Sequence, residues 1–224
     1  MSATSKFIIH KFYVIIVDMP KIFFVAMFVG CLLSFGFEAK AVAKVDNKKV
    51  QAVVVDKDKD YLSDAWEKII GTDPNNPDTD GDKYLDGTEV VAGFDPLNKE
   101  QVQIPKLIKV DLKTQHLWYY FGDKLLADFP ISSGIRSMPT PKGEFKVLDK
   151  VPVKRYGGPG FNFDFPNTKW NLHFATGKYG FYIHGAYWHN KFGQPMSHGC
   201  VNVSYANMEA LYWFAQVGTK VIIN

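Results

Sequence analysis

At 224 residues the chain is long enough for one well-buried core plus a small appendage, and too short for two full-sized domains. Its 46% hydrophobic and 15% aromatic content exclude a disordered polymer. The net charge of +3 hides two parts of opposite sign: residues 56 to 95 hold 12 of the 23 acids and 4 of the 26 bases, so that segment carries −8 and the remainder +11.

Residues 21 to 43 begin on Lys21, continue through the apolar run IFFVAMFVGCLLSFGF and close on small residues at Ala41-Val42-Ala43. A positive start, an apolar middle and an A-x-A end are the pattern of a secretory signal, of more ordinary length if Met19 is the start. An uncleaved anchor is the alternative; the run of 16 residues is short for a span needing about twenty, although the preceding FYVIIV lengthens it. Phe28-Val29-Gly30-Cys31 weakly resembles a lipoprotein cleavage box. All three readings place the rest of the chain outside the cytoplasm, in the cell envelope or periplasm. Residues 1–43 are therefore set apart as signal or anchor.

Residues 44–103 contain an acidic repeat of period 22. DKDKDYLSDAWEKIIGTDP from Asp56 aligns end to end with DTDGDKYLDGTEVVAGFDP from Asp78. Acids fall at loop positions 1, 3, 5, 9 and 12: Asp56, Asp58, Asp60, Asp64 and Glu67, then Asp78, Asp80, Asp82, Asp86 and Glu89. These are EF-hand ligand positions, and a hard divalent cation taking six to eight oxygens explains how five carboxylates per loop converge. Position 6, normally Gly for a sharp turn, is Tyr61 or Lys83, which puts the affinity in question. Over about 40 residues, including the phrase GTDPNNPDTD, the segment resembles bacterial thrombospondin type 3 calcium-binding repeats. Structural Ca2+ is the expectation for this part, since so thin an apolar content does not offset chain entropy alone.

From residue 104 to residue 224 short apolar runs alternate with turns. Ile108, Val110 and Leu112 point one way and Lys109 and Asp111 the other, the period of a half-buried strand. QHLWYYF and KLLADFPISSG continue the pattern, with further strands expected at 143–151, 179–184 and 219–223. One helix is expected over YANMEALYWFAQV, with Ser204 as N-cap and Gly218 just beyond its end. The fold class is thus mainly β, a sandwich or barrel with one helix late in the chain, plus the small EF-hand-like segment. Residues 152 to 178 carry seven Pro and Gly punctuations among aromatics and no defensible period, and are read as a lid or substrate-binding wall.

Ser197-His198-Gly199-Cys200 followed by Val201-Asn202, with His184 sixteen positions before the cysteine, points to a thiol nucleophile. The other cysteine, Cys31, lies in the apolar N-terminal stretch, so Cys200 has no evident disulfide partner. A thiol is mostly protonated at neutral pH and needs a base or a positive neighbour to ionise it. His198 is too close in sequence to swing onto the sulfur, whereas His184 arrives on a separate strand and is the expected general base, oriented by a backbone carbonyl near Gly185. The Gly199 and Cys200 amides are the expected oxyanion hole. His116 and His173 are read as ordinary surface or core histidines.

The phrases TPKGEF at Thr140, IHGAYWHNKFG at Ile183 and SHGCVN at Ser197 stand in the order and spacing of the L,D-transpeptidase catalytic domain, the YkuD-like family, which the chain resembles from about Ile104 to Asn224. The resemblance implies an L,D-transpeptidase-type β-sandwich with its helix after the nucleophile. It implies Cys200 as the acylated nucleophile, His184 as base, and Ser197, His198, Gly199 and Asn202 as site-shaping residues. It also implies peptidoglycan biosynthesis: a cysteine acyltransferase acting on tetrapeptide stems to form 3-3 crosslinks, with no cofactor for catalysis. Water in place of the acceptor amine makes the same intermediate an L,D-carboxypeptidase. Tyr187, Trp188 and His189, with Phe192, are candidates for the substrate groove, although Trp188 and Phe192 serve equally as packing. The balance of 14 bases against 7 acids after residue 103 suits an anionic wall. Stem peptides are the expected partner, with no nucleic acid, membrane contact only through the N-terminal segment, and a monomer. Two rival readings are a non-catalytic calcium-dependent wall-binding module and a cysteine endopeptidase of another fold. Intact His184, His198, Gly199 and Cys200 disfavour the first. Both histidines preceding the cysteine disfavour the second.

Overall fold

A computed structural model of the chain describes residues 55–224, so the expected signal or anchor at 1–43, Cys31 and the start of the repeat segment lie outside the described residues. Among the described residues no helix is long and apolar enough to cross a membrane.

Each acidic loop runs into one short helix, α1 (Asp64–Ile70) and α2 (Asp86–Ala92). Gly71 and Gly93 close them at φ 111 and 89, the left-handed conformation that ends a helix at least cost in Gly. The start of α1 is capped by its own neighbour, the Ser63 hydroxyl accepting from Trp66 N–H. Leu85 offers no such cap to α2, and the Asp60 carboxylate of the first loop supplies it instead, accepting from Gly87 N–H at 2.9 Å. The two repeats are thereby interlocked.

Nine strands follow: β1 (Lys106–Asp111), β2 (His116–Phe121), β3 (Lys124–Pro130), β4 (Gly143–Lys146), β5 (Asp149–Gly157), β6 (Asp164–Ala175), β7 (Phe181–Ala186), β8 (Val201–Ser204) and β9 (Lys220–Ile223). They form two sheets, ordered β3-β2-β1-β9-β4 and β5-β6-β7-β8, and α3 (Tyr205–Phe214) sits between β8 and β9 in sequence. The inward residues of β1 and β2, Ile108, Val110, Leu117 and Tyr119, meet Leu172, Phe174, Ile183, Val201 and Val203 of the second sheet and Met208, Leu211 and Phe214 of α3 in one core. The mainly β body with its helix directly after the cysteine-bearing segment is the architecture expected from the sequence. Leu62, Ile70 and Val90 of the repeats join that same core, and the described residues 55–224 belong to one compact unit.

The stretch read as a wall without period is a long antiparallel hairpin, β5 paired with β6. Its residues are mostly exposed or half-buried on both faces toward the tip, so no apolar alternation marks it in sequence. A register shift between Lys154 and Tyr156, with Asn167 at φ 57, bends the hairpin.

Candidate active site

The second sheet brings the sequence-predicted pair together. β7 and β8 run parallel with Ile183 opposite Val201 and His184 opposite Asn202. Residues in register share a face, and so do residues two apart. Cys200 lies in the bend that leads into β8, so its position follows from its contacts rather than from strand alternation. The Tyr182 amide faces the Cys200 sulfur and favours its thiolate.

Backbone geometry rather than an acid sets the imidazole. His184 Nδ1 donates to the Gly185 carbonyl at 2.9 Å, which leaves Nε2 as the free acceptor of the neutral ring. Gly185 is tightly seated; a Cβ there would lie 2.4 Å from the Tyr205 ring. The Tyr156 ring stacks on the imidazole at 4.4 Å, and its hydroxyl donates to Asn171 Oδ1 at 2.9 Å. Asn171 is fully buried, stands opposite His184 in register, and donates to the Val151 and Thr168 carbonyls. None of this packing was read from the sequence, because Tyr156 and Asn171 lie in the stretch that shows no period.

Electrostatics differ from the sequence expectation of an ionised sulfur. Burial pushes the Cys200 thiol up to about 11 and the His184 imidazole down to about 4. The resting pair is neutral on both sides.

The loop before the cysteine is a built turn and not a strand. The Ser197 hydroxyl donates to the Cys200 carbonyl and accepts from Gly199 N–H at 3.2 Å. An oxyanion must therefore take the Gly199 proton from that hydroxyl. Gly199 has φ 116, and a Cβ on it would lie 2.8 Å from the Phe181 ring. Behind the turn, Ser132 exchanges backbone bonds with Asn202 at 2.9 and 2.8 Å, and Ile135 N–H donates to the Ser197 carbonyl. A Cβ on Gly134 would come 2.9 Å from Gly199 Cα, so these two backbones need to touch. His198 is exposed and stacks on Phe163 of the hairpin tip at 4.7 Å, turned toward the hairpin.

The groove candidates divide. Trp188 stacks face to face on Phe165 at 3.9 Å and stands 5.8 Å from His184, and Tyr187 donates to the Pro166 carbonyl, so both brace the hairpin against the site. Asn202 Nδ2 donates to His189 Nε2 at 3.1 Å. Asn202 Oδ1 and His189 Nδ1 are buried without a partner, an opening for a polar group of a ligand beside His184. Phe192 packs on His189 at 4.8 Å.

In the repeats, oxygens of Asp56, Asp58 and Asp60 lie within 4.8 Å of one another, as do those of Asp78, Asp80 and Asp82. Glu67 and Glu89 face these triads: burial first and the triad charges next push both up to about 7. Asp64 and Asp86 are otherwise engaged, Asp64 with Lys57 and Asp86 with the Thr79 amide and hydroxyl. Both thereby brace the loops that carry the triads. Tyr61 and Lys83, the residues in place of the usual Gly, adopt φ 78 and 83, so the sharp turn is made in spite of their side chains.

Residues 105–223 match the family described as L,D-transpeptidase catalytic domain, and residues 62–77 and 78–99 match the bacterial TSP3 repeat. A Bacillus licheniformis protein named provisionally as L,D-transpeptidase YkuD is 28% identical over 148 residues, 66% of this chain and 81% of the relative. The structure resembles an L,D-transpeptidase from Mycobacterium smegmatis with TM-score 0.50 and 26% identity, covering 55% of this chain and 60% of that one. L,D-transpeptidase 3 of Mycobacterium tuberculosis shares the fold at TM-score 0.50 and 18% identity, over 55% of this chain and 63% of that one.

Proposed function

The chain belongs to the L,D-transpeptidase catalytic domain family, and from that premise we propose that it is a cysteine acyltransferase forming 3-3 crosslinks between peptidoglycan tetrapeptide stems outside the cytoplasm. The observation that supports this reading is a His184 imidazole with Nδ1 tied to the Gly185 carbonyl, on the strand whose Tyr182 amide meets the Cys200 sulfur.

Because both groups rest neutral, proton transfer accompanies attack. His184 Nε2 takes the thiol proton as Sγ bonds to the carbonyl carbon of the amide preceding the terminal D-Ala. The carbonyl oxygen becomes an oxyanion held by the Gly199 and Cys200 amides. Collapse breaks the C–N bond, the imidazolium returns its proton to the departing D-Ala nitrogen, and a thioester remains on Cys200. An imidazole pushed down to about 4 is a strong acid once protonated, which suits delivery to that nitrogen. A side-chain amine of a second stem then attacks the thioester to give the crosslink. Attack by water gives the trimmed tripeptide, the carboxypeptidase outcome.

Ca2+ in the acidic loops is part of the same proposal. Asp58 Oδ1 and Oδ2, Glu67 Oε2, Asp80 Oδ2 and Glu89 Oε2 are buried without partners, which is costly unless a cation takes them. The triads with Glu67 and Glu89 would hold it, and its charge would offset their mutual repulsion and order the loops.

The test is mass spectrometry of the full chain with tetrapeptide muropeptides. Cys200→Ala is expected to abolish both D-Ala release and covalent acylation by a carbapenem. Turnover undiminished in that variant overturns the mechanism.

A further inference from the structure

Lys154 stands on β5 where the hairpin bends, half-buried, with its ammonium 5.1 Å from the centre of the Tyr182 ring and 5.9 Å from that of Tyr156. Both rings belong to the reacting pair's surroundings: Tyr156 lies on the His184 imidazole, and Tyr182 precedes His184 by two residues and offers its amide to the Cys200 sulfur. Among the described residues this ammonium forms no ion pair, whereas the adjacent Arg155 guanidinium is held by both oxygens of Asp164 at 2.8 and 2.6 Å. The acid on this face, Asp149, is taken by His173 Nδ1 at 3.0 Å, and the His173 ring in turn stacks on Tyr182 at 4.6 Å. The groups around Lys154 are thus two neutral phenols, a neutral thiol and a neutral imidazole. A partly desolvated cation without a counter-charge, set against aromatic faces, is a place for an anion. The same cation favours the thiolate of Cys200.

We propose that Lys154, with the Tyr156 and Tyr182 rings as walls, is a carboxylate subsite beside the nucleophile that receives the terminal carboxylate of the leaving D-amino acid. This rests on the transpeptidase reading above. In such a substrate the carboxylate carbon is two bonds from the scissile nitrogen, so a cation near the sulfur meets it when the amide carbonyl is poised for attack. A residue continuing the chain presents a neutral amide there, and Lys154 then selects donors whose peptide ends at the residue to be expelled.

Alkylation of Cys200 in the full chain, located by mass spectrometry, tests the subsite without any turnover. The rate with anionic iodoacetate relative to neutral iodoacetamide is expected to fall roughly fivefold in Lys154→Gln, the size of one screened charge at a few ångströms. Lys154→Arg is expected to keep the wild-type ratio and guards against misfolding. An unchanged ratio in Lys154→Gln overturns the subsite. On substrate, Lys154→Gln is expected to lower kcat/KM for a tetrapeptide with a free terminal carboxylate while leaving its carboxamide analogue nearly unaffected; equal losses on both overturn the selection. If the wild-type chain releases D-Ala from neither, the functional reading fails, and the alkylation ratio still decides whether Lys154 presents charge at the thiol.

Discussion

A thiol pushed up to about 11 beside an imidazole pushed down to about 4 fixes the acid–base form of the site across the physiological range. His184 is competent as a base once it has lost its proton, above about 4, and Cys200 keeps the proton it must give up until about 11. The expected outcome is a kcat/KM for D-Ala release that is flat from roughly pH 5 to 9, with an acid limb near the imidazole value. A preformed thiolate–imidazolium pair would instead lose activity on the alkaline side, as an imidazolium held above the ordinary value of about 6.5 by its thiolate gives up its proton; an alkaline limb inside that plateau removes the neutral-pair mechanism. The two residues were legible as a candidate pair because chemistry restricts which side chains perform such roles. Their protonation was not, because it comes from enclosure by groups that only the sheet assembles, Tyr156 and Asn171 against His184 and Tyr182 against Cys200.

Elements were legible where one face meets the core. β1 and β2 alternate because Ile108, Val110, Leu117 and Tyr119 are buried while Lys109 and Trp118 point outward or sit at the margin. The β5–β6 hairpin reaches past the core as an arm, so Val153, Phe161 and the other tip residues carry no buried side to announce a strand, and Pro166 with Gly157, Gly158 and Gly160 imitates a loop. The period-22 repeat was legible for a different reason, since its acids recur at fixed loop positions whether or not a face is buried. What the repeat pattern concealed is the cap that Asp60 lends to α2. It requires residue 87 to lack a side chain: a Cβ there would lie 2.4 Å from the Asp60 carbonyl oxygen and 2.7 Å from Leu62 N. The equivalent position in the first repeat, 22 residues earlier, is Ala65, so the demand is local to the interlock. Gly87→Ala is expected to destabilise the protein by about 1–3 kcal/mol through this overpacking, read by urea denaturation. Ala65→Gly, as the control, is expected to cost no more than about 1 kcal/mol of helix propensity. Equal effects at the two positions would remove the interlock.

At the scale of the whole molecule, the charge asymmetry of the sequence describes two electrostatic parts, yet the structure joins them through apolar and cationic contacts. Trp66 of α1 meets Tyr119 and Phe214 edge-on at 5.8 and 6.2 Å. Lys106 donates from one ammonium to the Val91 carbonyl at the end of α2 and the Phe214 carbonyl at the end of α3, both at 2.7 Å, and lies 4.7 Å over the Phe214 ring. Burial pushes this lysine down to about 7, and two helix C-termini are the partners that make its charge tolerable there. Since α3 packs on β6, β7 and β8, the repeats are linked through it to the strands that carry His184 and adjoin Cys200. Order in the acidic loops is then felt by the catalytic body, and the two parts should unfold together. If the loops bind Ca2+ as proposed, saturation at about a hundredfold over its Kd is expected to contribute about 2.7 kcal/mol per site, or a Tm rise of roughly 5–10 °C for a chain of this size. Chelation is expected to lower by the same amount both the transition seen by tryptophan fluorescence and the temperature at which Cys200 becomes freely reactive. Lys106→Met removes both charge-assisted bonds and is expected to separate the two transitions. If they are already separate in the wild-type protein, the repeats are a tethered neighbour of the catalytic body rather than part of its fold.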